Sequence, residues 1–226
     1  MNITFIKRII FTSIGRKAVM AVTGLMLGGF MLFHLGENLL LFKGEVAYNN
    51  WVDLLLSNPL LPLIELGLLA VFLAHIFAGT WVRLEDWLNA PSGYEARNWQ
   101  GGRTIGSATM LYTAAAILAY LIYHMLTFRF MDHSMGFYQM VTSAFRDPVF
   151  VTIYMAGSIA LALHLSHGMQ SAFQTLGVNH PKYTPLIKLG GLLVALAMTG
   201  FALISVYYLL GIDLKTAESG CQVVIR

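Results

Sequence analysis

Five apolar stretches dominate this chain, at 18–42, 60–82, 104–128, 149–176 and 185–210. Each is at least as long as the ~20 residues an α-helix needs to cross the hydrocarbon core of a bilayer. Backbone in hydrocarbon must satisfy its own hydrogen bonds, so each stretch is expected as a helix. The predicted fold is therefore an all-α membrane protein, a single domain over residues 1–226 built as a bundle of five transmembrane helices. Composition agrees: 11% of the residues are charged, against about 25% in a soluble domain, and the mean hydropathy is +0.68. Pro59, Pro62, Pro148 and Pro185 lie at or near predicted helix starts, where a missing backbone donor costs nothing. Asn89–Gly93 and the Gly101-Gly102 pair mark the longest internal loop.

Residues 1–17 carry Lys7, Arg8, Arg16 and Lys17 among apolar side chains, with no small-residue cleavage site after them. That pattern reads as an amphipathic segment lying on the membrane, not as a signal peptide. With the N-terminus inside, nine lysines and arginines fall on the inner side; Lys43, Arg129, Arg146, Lys215 and Arg226 fall on the outer. The excess of positive charge predicts the N-terminus inside and the C-terminus outside, in the inner (cytoplasmic) membrane of a cell.

Several chemistries are excluded. Cys221 is the only cysteine, so this chain alone holds no disulfide, iron–sulfur cluster or C-x-x-C-H haem attachment. Gly101-Gly102-Arg103-Thr104-Ile105-Gly106 has neither the spacing nor the preceding strand of a nucleotide loop. No basic cluster interleaved with aromatics suggests nucleic acid.

The informative residues are four histidines, each in a different apolar stretch: His34, His75, His124 and His164. An ionisable side chain inside the bilayer is costly and marks function. His34 lies nine residues before Lys43 and His124 five before Arg129, roughly 8–14 Å from the outer helix ends. His75 and His164 follow Pro62 and Pro148 by thirteen and sixteen residues, roughly 20–24 Å from the same side. Two layers of two imidazoles are thus expected, about 10–14 Å apart, the arrangement required by two stacked bis-histidine haems. An internal echo accompanies it: His34 to His75 spans 41 positions and His124 to His164 spans 40, with glycine four residues after His75 and His164. A parallel duplication would produce this pattern. His167 lies three residues from His164, on nearly the same helix face, and is an alternative ligand. His133 and His180 fall in loops and are expected to be solvated. Gly24 and Gly28 precede His34 with small-xxx-small spacing, which suits close helix packing and equally leaves room for a flat macrocycle.

Two carboxylates lie in the outer half of the spans: Glu37, one turn after His34, and Glu65, early in the second stretch. Either can accept a proton released by a quinol. The structural readings are that Glu65 caps a helix start and that Glu37 faces Lys43. Arg129 and Arg146 at the outer side, and Arg83 at the inner, suit haem propionates or simple helix anchoring.

At T-G-L-M-L-G-G-F-M-L-F-H ending on His34, A-H-I-F-A-G around His75, the late His124, and L-H-L-S-H-G-M-Q-S around His164, the chain resembles a family. It is similar to the single-chain, five-helix, two-haem cytochrome b subunit of succinate:quinone oxidoreductases and fumarate reductases. The resemblance runs through all five stretches and is more specific in arrangement than in letters. It implies that His34 and His124 ligate the iron of a distal haem b, and His75 and His164 that of a proximal one. The family signature has no histidine at the position of His167. The resemblance further implies a membrane anchor for a flavoprotein subunit and an iron–sulfur subunit, carrying electrons between succinate or fumarate and a quinone, most commonly menaquinone. The expected docking face is the inner one, where Arg83, Glu85, Asp86, Trp87, Tyr94, Arg97 and Trp99 mix charge with aromatics. Two rival readings stand beside it. One is the di-haem anchor of another quinone-linked enzyme, such as a hydrogenase, formate dehydrogenase or nitrate reductase; the other is a haem-free transporter whose histidines relay protons.

Overall fold

A computed structural model describes residues 12–89, 105–178 and 180–212. Among the described residues there is no strand, and five helices are long and apolar enough to cross a membrane. The protein is a multi-pass helical membrane protein.

Helix α1 runs Ser13–Asn38 and continues as a 3-10 turn over Leu39–Lys43. Thr12 starts it by accepting a hydrogen bond from Gly15 N (3.1 Å), the N-cap a threonine side chain supplies. Gly44, at φ 94°, ends it, a conformation that glycine adopts without steric cost. Then come α2 (Glu45–Leu56), α3 (Leu61–Leu88), α4 (Ile105–His124), α5 (Phe137–Ala144), α6 (Pro148–Thr175) and α7 (Thr184–Leu209). Asp147 caps α6 by accepting from Val149 N (2.8 Å), and Pro148 and Pro185 occupy first turns as expected. Helix α4 gives way at His124 to one π turn, Met125–Arg129, closed by Phe130 N donating to Met125 O (3.1 Å).

The long helices alternate in direction. Ser13 and Arg16 meet Glu85 at one face of the bundle. Tyr208 meets Leu41, and Arg129 meets Glu65, at the other. We call these the Ser13 face and the Lys43 face. Helix α6 is the hub, packed against α4, α7 and α1, while α3 leans on α1. Small residues set the closest seams. Gly28 and Gly191 approach Met169, Gly79 approaches Met20, and Gly200 approaches Leu35. Met198 and Ser205 of α7 are fully buried. Along α3, Leu66, Leu69, Leu73 and Phe77 are more than half exposed; in a bilayer these side chains meet lipid, so their exposure costs nothing.

Two differences from the expected elements have clear causes. Ser13–Lys17 belong to α1 and not to a separate surface segment; residues 1–11 lie outside the described residues. The charge of Arg16 is carried into the helix because the Glu85 carboxylate pairs with it and the guanidinium lies 5.5 Å from the centre of the Trp81 ring. The same pairing extends α3 six residues past Val82, to Leu88. The short helices α2 and α5 were not expected. They pack together over the Lys43 face, where Asn49 Oδ1 accepts from Tyr138 N (2.9 Å) and the rings of Tyr48 and Tyr138 lie 6.3 Å apart.

Candidate functional site: two facing histidine pairs

Helices α1 and α4 bring His34 and His124 face to edge, with ring centroids 5.9 Å apart and planes at 83°. Helices α3 and α6 do the same for His75 and His164, at 6.4 Å and 76°. On α1, ten residues separate Gly24, which lies against the His75 ring, from His34, a rise of about 15 Å. On α4, eleven residues separate Thr113, beside His164, from His124, a rise of about 16 Å. Two helices therefore measure nearly the same spacing between the pairs, slightly longer than expected.

All four imidazoles use the same nitrogen for hydrogen bonding. His34 Nδ1 lies 2.6 Å from Glu37 Oε1. His75 Nδ1 lies 3.1 Å from Met20 O and 3.2 Å from Thr23 Oγ1. His124 Nδ1 lies 3.0 Å from the Tyr154 hydroxyl, and His164 Nδ1 3.3 Å from Thr113 Oγ1. The partners fix which way these bonds run. Thr23 Oγ1 already donates to Val19 O (2.6 Å), and Thr113 Oγ1 donates to Met110 O (3.0 Å); each is left to accept from its histidine. Thr127 Oγ1 donates to Tyr123 O (2.8 Å) and lies 3.4 Å from the Tyr154 hydroxyl, the closer partner of which is His124 Nδ1. A carboxylate and a carbonyl only accept. His34, His75 and His164 are thus Nδ1–H tautomers, and the Nε2 of all four rings makes no hydrogen bond among the described residues.

A histidine whose far N–H is held by a carbonyl, carboxylate or hydroxyl is oriented to bind metal through its other nitrogen. The ring spacing suits one ion between each pair: two imidazole–metal bonds of about 2 Å, with roughly 1 Å from each nitrogen to its ring centre, span about 6 Å. A bare structural metal needs about four protein ligands, and no group of three or more His, Cys, Asp or Glu side chains converges among the described residues. Two opposed imidazoles instead match a metal whose remaining positions are filled by a tetradentate macrocycle. The residues present fit haem.

Aromatic side chains surround the 34/124 pair. Phe30 stacks beneath His34 (5.6 Å, 13°), Phe201 lies 5.7 Å away, and Tyr120, Phe128 and Tyr154 border His124. The 75/164 pair has small neighbours instead. A Cβ on Gly24 would come within 3.0 Å of His75 Cε1, so one of the glycines with helix-packing spacing also clears the imidazole.

The other expected residues are placed as follows. His167 makes no hydrogen bond or ring contact among the described residues, and its Cβ side lies toward Gly106; His164 is the member of α6 that faces His75. Glu37 binds His34 and accepts from Trp51 Nε1 (3.4 Å), and is not paired with Lys43. Glu65 pairs with Arg129 (3.2 Å) across the Lys43 ends of α3 and α4, with both side chains about half exposed. Arg83 and Arg146 are exposed. Tyr94, Arg97 and Trp99 lie outside the described residues. His133, expected to be solvated, is half-buried: its Nε2 bonds Phe128 O (2.9 Å) and its ring lies 4.4 Å from Phe137 of the unforeseen α5. His180 is exposed and accepts from Lys182 N (3.2 Å).

Sequence reasoning missed the residues behind the histidines: Thr23, Thr113, Tyr154 and the Met20 carbonyl. A signal for two of them exists. Thr23 precedes His34 by eleven residues and Thr113 precedes His124 by eleven, three helical turns, so α1 and α4 each present a threonine for one pair and a histidine for the other on one face. This extends the repeat already visible in the histidine spacing. No family model, curated protein or solved structure matches the chain.

Proposed function

We propose that this protein is the membrane-anchor cytochrome b subunit of a succinate dehydrogenase or fumarate reductase complex of the cytoplasmic membrane, with its N-terminus inside. The observation that carries the reading is the shared engagement: four intramembrane histidines, facing in twos, each meet a partner through Nδ1 and leave Nε2 without a hydrogen bond among the described residues. His75 and His164 are the ligands of the inner haem b, and His34 and His124 those of the outer one. When bound, the two haems carry single electrons between an iron–sulfur partner at the Ser13 face and a quinone, such as menaquinone, near the Lys43 face. Each haem would be held by two protein nitrogens, so the chemistry it would supply is electron transfer and not oxygen binding.

The chain's own residues hold and orient the imidazoles. Glu65 and Glu37 are the carboxylates near the outer pair that can take a quinol proton. Glu65, half exposed at the edge of the bundle, is the more accessible; Glu37 is engaged by His34 and Trp51. Arg129 and Arg146 on one side and Arg83 on the other are the cations that suit propionates. Arg83, Asp86 and Trp87, all exposed, offer the Ser13 face to the iron–sulfur subunit, which itself works with a flavoprotein.

Substituting His75 or His164 with alanine tests the proposal. Pyridine haemochrome analysis should count two haems per unsubstituted chain, and each variant should lose the inner one while keeping the outer. A purified chain without b-type absorbance ends the haem reading in favour of a proton relay. Two haems without succinate-dependent quinone reduction by the whole complex point to the anchor of another quinone-linked oxidoreductase.

A further inference from the structure

Helix α6 carries a polar stripe that the four facing histidines leave unexplained. His164, His167, Ser171 and Gln174 follow at intervals of three, four and three residues, with Gln170 beside them, so they share one side of the helix. Because α6 runs from the Lys43 face to the Ser13 face, the stripe leads from the inner histidine pair toward the Ser13 face. Other hydroxyls in the spans settle on their own helix: Ser158, Ser166 and Thr199 each donate to a carbonyl three or four residues back. His167 is half-buried and finds no hydrogen-bond or ring partner among the described residues. It stands three residues beyond His164, about 4.5 Å along the axis, and eight residues, about 12 Å, short of the helix end at Thr175. An ionisable side chain at that depth is costly and marks a function. Packing sets its direction: a Cβ on Gly106 would lie 2.9 Å from His167 Cβ and 3.2 Å from Leu163 O, so α4 touches α6 here and fixes its rotation. The cations on this side are committed or lie farther out. Arg16 pairs with Glu85 and lies against Trp81, whereas Lys17 and Arg83 are exposed.

From this placement we infer that His167 is a positioning residue for the inner haem: it donates an N–H to a haem propionate and so seats the acidic edge of the macrocycle toward the Ser13 face. The inference rests on the di-haem reading above. A carboxylate brought to this depth costs free energy unless a donor meets it. An imidazole carries at least one N–H whether neutral or charged, so the donation does not depend on its protonation. A hydrogen bond to an ionised carboxylate is among the strong ones. His164 is the member of α6 that faces His75, at 6.4 Å between ring centroids, which leaves His167 one turn away for the edge of the ring and not for its iron. Arg83 stands eight residues beyond His75, about 12 Å farther along α3, and His167 is the nitrogen donor one turn from the pair.

The experiment compares the intact complex carrying the unsubstituted chain with His167→Ala and His167→Asn. Asparagine keeps an N–H donor and removes the imidazole that could bind iron. Pyridine haemochrome analysis should count two haems in both variants. Resonance Raman spectra report the propionate bending bands of the two haems, and the His75→Ala protein, which retains the outer haem alone, assigns them. His167→Ala should shift the inner haem's band and leave the outer one in place; His167→Asn should bring the inner band back toward its original position. Two retained haems with an unmoved inner band, or equal shifts at both haems, overturn the inference. If His167→Ala loses the inner haem, His167→Asn decides: retention of both haems supports the propionate donor, and loss of the inner one there too marks an iron ligand or a packing residue and overturns it. An unsubstituted protein without haem overturns the di-haem reading itself, and the inference with it.

Discussion

The two histidine pairs share one ring geometry and differ in almost everything behind it. The 75/164 pair is backed by hydroxyls, a carbonyl and a glycine, with little bulk around it. The 34/124 pair is backed by a carboxylate and a phenol within a cluster of aromatic rings, and helices α2 and α5 fold across its end of the bundle. Centroid separations of 6.4 and 5.9 Å nevertheless differ by only half an ångström. Ring placement therefore follows from which helices pair, a property of the repeated frame. The electrostatic surroundings follow from single side chains, which the repeat leaves free to differ.

The strongest way to break this comparison is at Gly157, where a Cβ would lie 2.5 Å from the Tyr120 ring. Tyr120 borders both His124 and Tyr154, so Gly157→Ala should cost about 1–3 kcal/mol through overpacking. Under the proposed di-haem function, it should remove the outer haem ahead of the inner, as read by haem count and thermal unfolding. Gly190→Ala, with nothing within 4 Å of the added carbon, is the matched control and should change neither.

Next comes Gly24→Ala, whose methyl would sit 3.0 Å from His75 Cε1. It should displace that ring and perturb the inner haem's absorbance, leaving the outer spectrum untouched. Equal disturbance at both haems would show that the pairs are not independent.

Removing one hydrogen-bond partner should matter less. Tyr154→Phe and Thr113→Val each leave an imidazole nitrogen without its hydrogen-bond partner, at about 1–3 kcal/mol. Lower haem retention on washing is expected for the outer pair in the first variant and the inner pair in the second. The smallest effect is expected from Arg129→Gln. A half-exposed ion pair with Glu65 contributes under about 1 kcal/mol, so unfolding should shift little, and raising the salt should erase even that.

Much of the frame is legible along the chain. Uninterrupted apolar stretches have no stable solution in lipid but a helix, and a histidine in such a stretch stands out because burying it costs free energy unless something meets it. The five spans, the depth of each histidine and the division into two layers follow from counting residues at a fixed rise per residue. Where the expected ends moved, at Ser13–Lys17 and beyond Val82, the cause lay across helices: Arg16 and Glu85 are 69 positions apart and neutralise each other only once α1 and α3 lie side by side. The short helices α2 and α5 escaped notice because eight to twelve residues carry little periodic signal, and what orders them is contact with each other, with the Leu39–Lys43 turn and with the long helices.

The sequence by itself determined how many helices are long and apolar enough to cross the membrane, where the polar side chains stand along them, and at what depth. Only the tertiary structure decided which nitrogen of each imidazole is engaged, and by what. Thr23 reaches His75 across 52 positions, Thr113 reaches His164 across 51, and Tyr154 reaches His124 across 30. Helical rise sets depth within one segment, whereas a hydrogen bond between segments depends on how each helix is rotated about its axis. Packing sets that rotation, through the glycines and methionines of the seams.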